Sequence, residues 1–346
     1  MTEKRLLSID IAKGLGILLV ALAHNDLAAY APFLYHWIYS FHMPLFFFLS
    51  GFFFKPELNF PTLLKRRFDS LLRPYFFSLF LIYTGSIFFG KMPISTALSR
   101  ILKALYANGY TLDWVAMWFL PALFTVNLFA FLFYQAFRWT GKPWPRWIGL
   151  LVVLVLGAWT VSWFTPIDVR LLGRNLTLHG LPWSLDLALL AGFFFILGTE
   201  MNRNKLPSWL FSSRALLSVT GLSLTLNLYF PQTLDLTQRQ YAMPLLFTLE
   251  ATSGILMILA FSHWLEHGPT WLTGFLAYLG RISVLILIFH NPVQSYLTPK
   301  IDLLLGGNIY SPLIAFPFAI AIPNLIYELG VRHNPPIAAW FGLKPQ

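Results

Sequence analysis

The sequence predicts an all-α fold, a polytopic membrane helix bundle of about ten transmembrane helices with both termini cytoplasmic. Three observations carry that expectation. The chain is 57% hydrophobic, 18% aromatic and only 11% charged, where soluble domains carry about 25% charged residues. Its apolar residues fall in long runs. Its basic residues fall in short clusters between those runs.

A helix crosses the hydrocarbon core of a bilayer with roughly 17–25 residues. Runs of that kind lie near 7–25, 38–54, 73–90, 115–137, 146–164, 183–200, 214–230, 243–265, 272–291 and 308–329. The first is expected to be retained rather than cleaved, because Asp10 and Lys13 interrupt it and no small-residue cleavage site follows. With the N-terminus inside, 17 of the 24 Lys and Arg collect on one side and 7 on the other, which sets the cytoplasmic face. The connections are short, so residues 1–346 read as a single integral membrane domain with no soluble domain. No internal repeat is evident, which disfavours an inverted-repeat transporter.

There is no cysteine, which excludes disulfides, thiolate nucleophiles and cysteine metal sites. The net charge of +10 is distributed as a topology signal, so nucleic acid is not expected as a partner. The lipid bilayer is.

Ionisable residues within the spans are the candidates for function, since such groups are costly in lipid and usually face an interior pathway. At 100° per residue, Lys13 lies about 300° and His24 about 320° around the first helix from Asp10, so the three share one face. Gly14 and Ala21 border it, and the small-residue stripe they form is expected to leave open space. Lys13 and His24 are roughly 16 Å apart along the axis. A self-neutralising Asp10–Lys13 pair with an interfacial His24 explains the same residues. His42 in the second span and His290 at the end of the ninth are expected at the same outer depth as His24, while Asp186 and Glu250 enter the sixth and eighth spans. No His/Glu pair at i,i+3 or i,i+4 suits zinc, since His263 and Glu266 fall on a cytoplasmic edge and read as solvated, so no metal is expected. On the inner side Lys65-Arg66-Arg67 and Arg73 form the densest basic cluster, which suits either the topology signal or a phosphate cradle.

Five segments taken together resemble one family. They are Arg5-Leu-Leu-Ser-Ile-Asp-Ile-Ala-Lys-Gly through His24, Phe41-His-Met-Pro44 to Ser50-Gly51, and Lys65 to Pro74-Tyr75. Trp118-Phe-Leu-Pro-Ala-Leu123 and Tyr278-Leu-Gly-Arg-Ile-Ser283 to His290 complete the set. In order over nearly the whole chain they resemble the membrane-bound acyltransferase-3 family, with the fucose 4-O-acetylase-like subgroup nearest. The resemblance implies ten core helices and transfer of an acyl group, often acetyl from acetyl-CoA, to a hydroxyl of a sugar or envelope glycan. It also implies residence in a bacterial inner (plasma) membrane. The family's basic-x10-His pattern falls on Lys13 and His24. Its Arg-x-x-Arg pattern meets Arg67 and then Ser70, with Arg73 the nearest substitute.

Acyl transfer to an alcohol needs a base for the hydroxyl proton and donors for the oxyanion. His24 is the expected base, assisted by Lys13 and Asp10. Lys13, Arg66, Arg67 and Arg73 are the candidates for the acetyl-CoA phosphates. His42, His290, Trp118, Asp186 and Glu250 are the candidates for holding the acceptor. The other reading is a secondary transporter or flippase for a sugar or lipid-linked substrate, with Asp10 and Glu250 as titrating carboxylates.

Overall fold

A computed structural model of the chain describes residues 7–140, 142–163, 166–171, 174–230, 235–241 and 243–343. In order the helices are α1 (Leu7–Ala23), α2 (Pro32–Phe52), α3 (Phe60–Arg67), α4 (Arg73–Phe88), α5 (Ile94–Tyr106), α6 (Phe119–Ala136) and α7 (Trp144–Trp163). A hairpin of β1 (Ile167–Leu171) and β2 (Arg174–Leu178) follows. Then come α8 (Ala188–Arg203), α9 (Ser213–Tyr229), α10 (Pro244–Glu266), α11 (Thr270–Arg281), α12 (Ser283–Leu305), α13 (Tyr310–Ile326) and α14 (Pro335–Trp340).

The all-α expectation holds apart from that antiparallel hairpin, in which Ile167 faces Leu178 and Leu171 faces Arg174. Six described helices are long and apolar enough to cross a bilayer, and a seventh is obtained if α11 and α12 form one span. The protein is an integral membrane protein on that evidence. α1 and α9, at 17 residues each, fall short in length, and His36, Ser40, His42 and Pro44 dilute the apolar character of α2.

Two expected spans take a different form. The run 272–291 is not one rod, because α11 and α12 bend by 82° at Ile282. The run 73–90 is the second half of a helix from Phe60 to Phe88, so the basic cluster lies on a helix rather than in a loop. A π-turn, Phe68–Leu72, joins its halves. Pro74 lacks the N–H that would bond the Ser70 carbonyl, which breaks the α ladder there.

The chain groups into two compact units: Met1–Phe53, Leu197–Leu234 and Ala242–Gly330 in the first, Phe54–Ile196, Asp235–Tyr241 and Val331–Gln346 in the second. In the first, α1 packs most closely against α11. Gly14 abuts the Leu276 carbonyl so tightly that an added Cβ would lie 2.0 Å from its oxygen, and one at Gly280 would lie 2.1 Å from the Asp10 carbonyl oxygen. Lipid offers no hydrophobic drive to bring helices together, so small residues that admit a neighbouring backbone supply the contact. The expected open stripe beside Gly14 is therefore a packing seam, filled by the α11 backbone. At the end of α2, Thr199 Oγ1 and Asn202 Nδ2 donate to the carbonyls of Gly51 and Phe52 at 2.8 and 2.7 Å, serving helix-end acceptors that lipid could not.

In the second unit, Tyr75 donates from α4 to the Ala104 carbonyl of α5. Asp113 accepts from Arg100 at 2.6 Å and from Tyr83 at 3.2 Å. The hydrogen bond that Arg100 donates to Asp113, reinforced by the carboxylate charge, holds the guanidinium pKa above its ordinary range. Exposed apolar side chains such as Leu151, Val155 and Trp159 on α7, each more than half accessible, are what a lipid solvent requires.

Candidate active site

Three helices of the first unit bring one imidazole each to a common point. His24 follows the last turn of α1, His42 lies mid-way along α2, and His290 lies two turns into α12. The His24 ring centroid is 5.3 Å from that of His290 and 6.3 Å from that of His42, both edge to face. Tyr39, one turn before His42, completes the cluster at 4.7 Å from His42 and 6.2 Å from His24. His42 and His290 are buried and His24 is half-buried.

A single local device orients all three rings. Each Nδ1 bonds the backbone carbonyl four residues earlier: His24 to Val20 at 2.9 Å, His42 to Ile38 at 3.0 Å, His290 to Ile286 at 2.8 Å. A carbonyl oxygen can only accept, so in each case Nδ1 carries the proton and Nε2 is the basic nitrogen. The ring contacts hold the three imidazoles within one small volume. The Nε2 of His290 has no hydrogen-bond partner.

Asp10 and Lys13 lie on α1, turns below His24. Asp10 is buried in the first turn, where its carbonyl meets Gly280. Lys13 is half-buried with Nζ 4.5 Å from the centroid of Phe53. Glu250, on α10, is fully buried and neither carboxylate oxygen has a hydrogen-bond partner. It stands one turn before Gly254, which abuts the Phe41 ring.

The remaining candidates belong to the second unit. Trp118 is buried at the start of α6. Arg66 is exposed; Arg67 is half-buried with an unpartnered Nε, and the hydroxyl of Ser70, three residues on, is also unpartnered. Arg73 is engaged, paired with Asp69 and donating to the Ala339 carbonyl at 3.2 Å. Asp186 is buried in a two-point pair with Arg239, 2.8 Å to Nε and 3.2 Å to Nη2, and its Oδ1 also accepts from the Leu181 amide. That pair clamps a turn whose Trp183 and Ser184 hold left-handed φ values of 57° and 52°, a conformation that persists only under such constraint. Tyr106 donates to the Gly180 carbonyl beside it. Burial, then the Asp186 charge, raises its phenol above the usual range.

Among the described residues no group of three His, Cys, Asp or Glu side chains is placed to hold a metal ion. Sequence reading missed Tyr39, whose signal was its position three residues before His42. It also missed Gln294 and Thr298, which repeat at four-residue steps after His290.

Fold and site together define a helical membrane protein in which three imidazoles, each oriented by its own helix, gather at one point. Residues 6–328 match the sequence profile of the acyltransferase-3 family, described as an acyltransferase domain, and the chain belongs to that family. Comparison with curated proteins and with solved structures returns no match.

Proposed function

We propose that the protein is a membrane-bound O-acyltransferase that moves an acetyl group from acetyl-CoA to a hydroxyl of a sugar or envelope glycan. It acts as one membrane domain of ten spans in a bacterial inner membrane, with both termini in the cytoplasm. The observation that carries this reading is the histidine cluster, in a chain of acyltransferase family.

His24 Nε2 accepts the acceptor's hydroxyl proton as the hydroxyl oxygen attacks the acyl carbon. The C–S bond then breaks, and the same proton passes to the departing thiolate, so the reaction is proton-neutral. The other two imidazoles accept hydrogen bonds from the glycan, His42 helping to fix the attacking hydroxyl and His290 holding a neighbouring one. On the donor side Arg66, Arg67 and Ser70 fit a phosphate, offering a free guanidinium nitrogen and a free hydroxyl. Arg73 fits less well because Asp69 holds it.

The test is CoA release from acetyl-CoA by protein in lipid nanodiscs, with acetylated acceptor identified by mass. Release by wild type but not by His24→Ala is the expected result. Glu250 favours the other reading, transport, because a buried carboxyl without a partner suits proton coupling. Glycoside uptake into proteoliposomes with no CoA released from acetyl-CoA would establish transport instead.

A further inference from the structure

Beyond the histidines, the end of α1 collects buried hydrogen-bonding atoms that nothing in the protein satisfies. On α12, Gln294 and Thr298 continue the face of His290 at successive four-residue steps, and all three are at most 3% exposed. Gln294 Nε2 donates to the Ala21 carbonyl at 2.8 Å, which points its Oε1 away from that bond, and Oε1 has no partner. Asn25, next to His24, repeats the arrangement: its Nδ2 donates to the Pro312 carbonyl and its Oδ1 is unpartnered. The hydroxyls of Thr298 and of Ser311, beside Pro312, are unpartnered as well. Buried polar atoms are nearly always hydrogen-bonded, yet these four, on segments tied to one another by the Gln294–Ala21 and Asn25–Pro312 bonds, have no partner in the protein.

Their chemistry says what. Each amide spends one N–H on a backbone carbonyl, which can only accept, so its orientation is fixed and its oxygen is left to offer. The Nε2 of His290 is likewise an acceptor. The unpartnered atoms are therefore three acceptors and two hydroxyls, with no cation among them. Such a set repels phosphates and carboxylates and suits a neutral ligand rich in O–H donors. The exposed Ala29 and Tyr30, just past Asn25, put solvent close by.

The geometry points to a polyol subsite in which Asn25, Gln294, Thr298 and Ser311, with His290, bind hydroxyls of a neutral sugar residue next to the reacting one. This rests on the acyltransferase reading for what happens at His24, but binding can be measured without it. The probe is a set of methyl hexopyranosides, with methyl hexopyranosiduronates and hexose 6-phosphates as anionic comparators. Binding to the full chain in nanodiscs is read by titration calorimetry without acyl donor. Wild type is expected to bind at least one neutral glycoside saturably and to bind its uronate more weakly. Thr298→Val, which leaves both amide ties in place, and Gln294→Leu are each expected to weaken binding about tenfold, or about 1.4 kcal/mol. Thermal unfolding identifies variants that remain folded, and Thr298→Val decides the matter if Gln294→Leu does not. Undiminished affinity in a folded variant, tighter binding of the anions, or no binding of any glycoside by wild type overturns the subsite. CoA release from acetyl-CoA is scored separately. Its absence in wild type would remove the acyltransferase reading and leave the binding result to stand or fall alone.

Discussion

Replacing Gly14 with Ala separates a packing seam from an open passage along α1. A Cβ at Gly14 would sit 2.0 Å from the Leu276 carbonyl oxygen, against 3.4 Å for ordinary contact. α11 would have to retreat by about 1.4 Å, and the opposing atom is backbone, which cannot swing aside. Overpacking of this kind costs about 1–3 kcal/mol. Alanine is also the better helix former by about 1 kcal/mol, so the two effects oppose each other and packing wins. Gly274, on α11 itself, has nothing within 4 Å of its would-be Cβ, so Gly274→Ala should show the propensity gain alone. The expected result is a lower unfolding temperature for Gly14→Ala and an equal or higher one for Gly274→Ala, measured by thermal shift in one detergent. At roughly 2–4 °C per kcal/mol for a domain of 150–250 residues, the difference is resolvable. Gly14→Ala with wild-type stability but slowed acyl transfer would refute the seam and restore the passage.

His24→Ala is expected to cut CoA release by at least about 100-fold, the usual range for loss of a general base, with insertion and unfolding temperature near wild type; ordinary turnover would remove His24 from that role. Arg66→Ala with Arg67→Ala should raise KM for acetyl-CoA about tenfold, whereas Arg73→Ala, whose partners are internal, should act chiefly on stability. Equal KM effects for both would show that Arg73 also reaches the donor. Asp186→Ala should destabilise by about 3–5 kcal/mol, because Arg239 is left buried without its carboxylate. Asp186→Leu combined with Arg239→Met should recover most of that loss in a denaturation assay, and a double variant as unstable as the single one would show that the pair does more than neutralise itself.

Membrane residence was legible because it is written in composition and in runs of apolar side chains, and α6, α8 and α10 fall close to where those runs lie. Of the helices that carry the site, α1 begins where its apolar run does, while α2 begins at Pro32, ahead of the run near 38–54, because His36, Ser40 and His42 interrupt its apolar character. The bend at Ile282 had no local signal: Ile282 is apolar, and a hydropathy window runs straight through it. Depth counting placed His24, His42 and His290 at one level, and three helices bring them together. Depth cannot distinguish a gap from a contact, however. Gly14 is small beside an open passage and equally small beside a close neighbour, and only the carbonyl of Leu276 decides between them.

The hydrogen bonds at Nδ1 constrain the chemistry further than the presence of three histidines does. Each ring directs its Nδ1–H to its own helix, so on the acyltransferase reading a proton taken from a substrate hydroxyl would arrive at Nε2 of His24 and leave by the same atom. Acid and base steps therefore act through one nitrogen on one side of the ring. The attacking oxygen and the departing sulfur must both come within hydrogen-bond reach of that atom, roughly 2.6–3.2 Å for the oxygen. Donor and acceptor must then approach His24 from the same side of its ring. A bulky ring on that side would obstruct both substrates at once, whereas Nδ1, held at the Val20 carbonyl, takes no part in either approach.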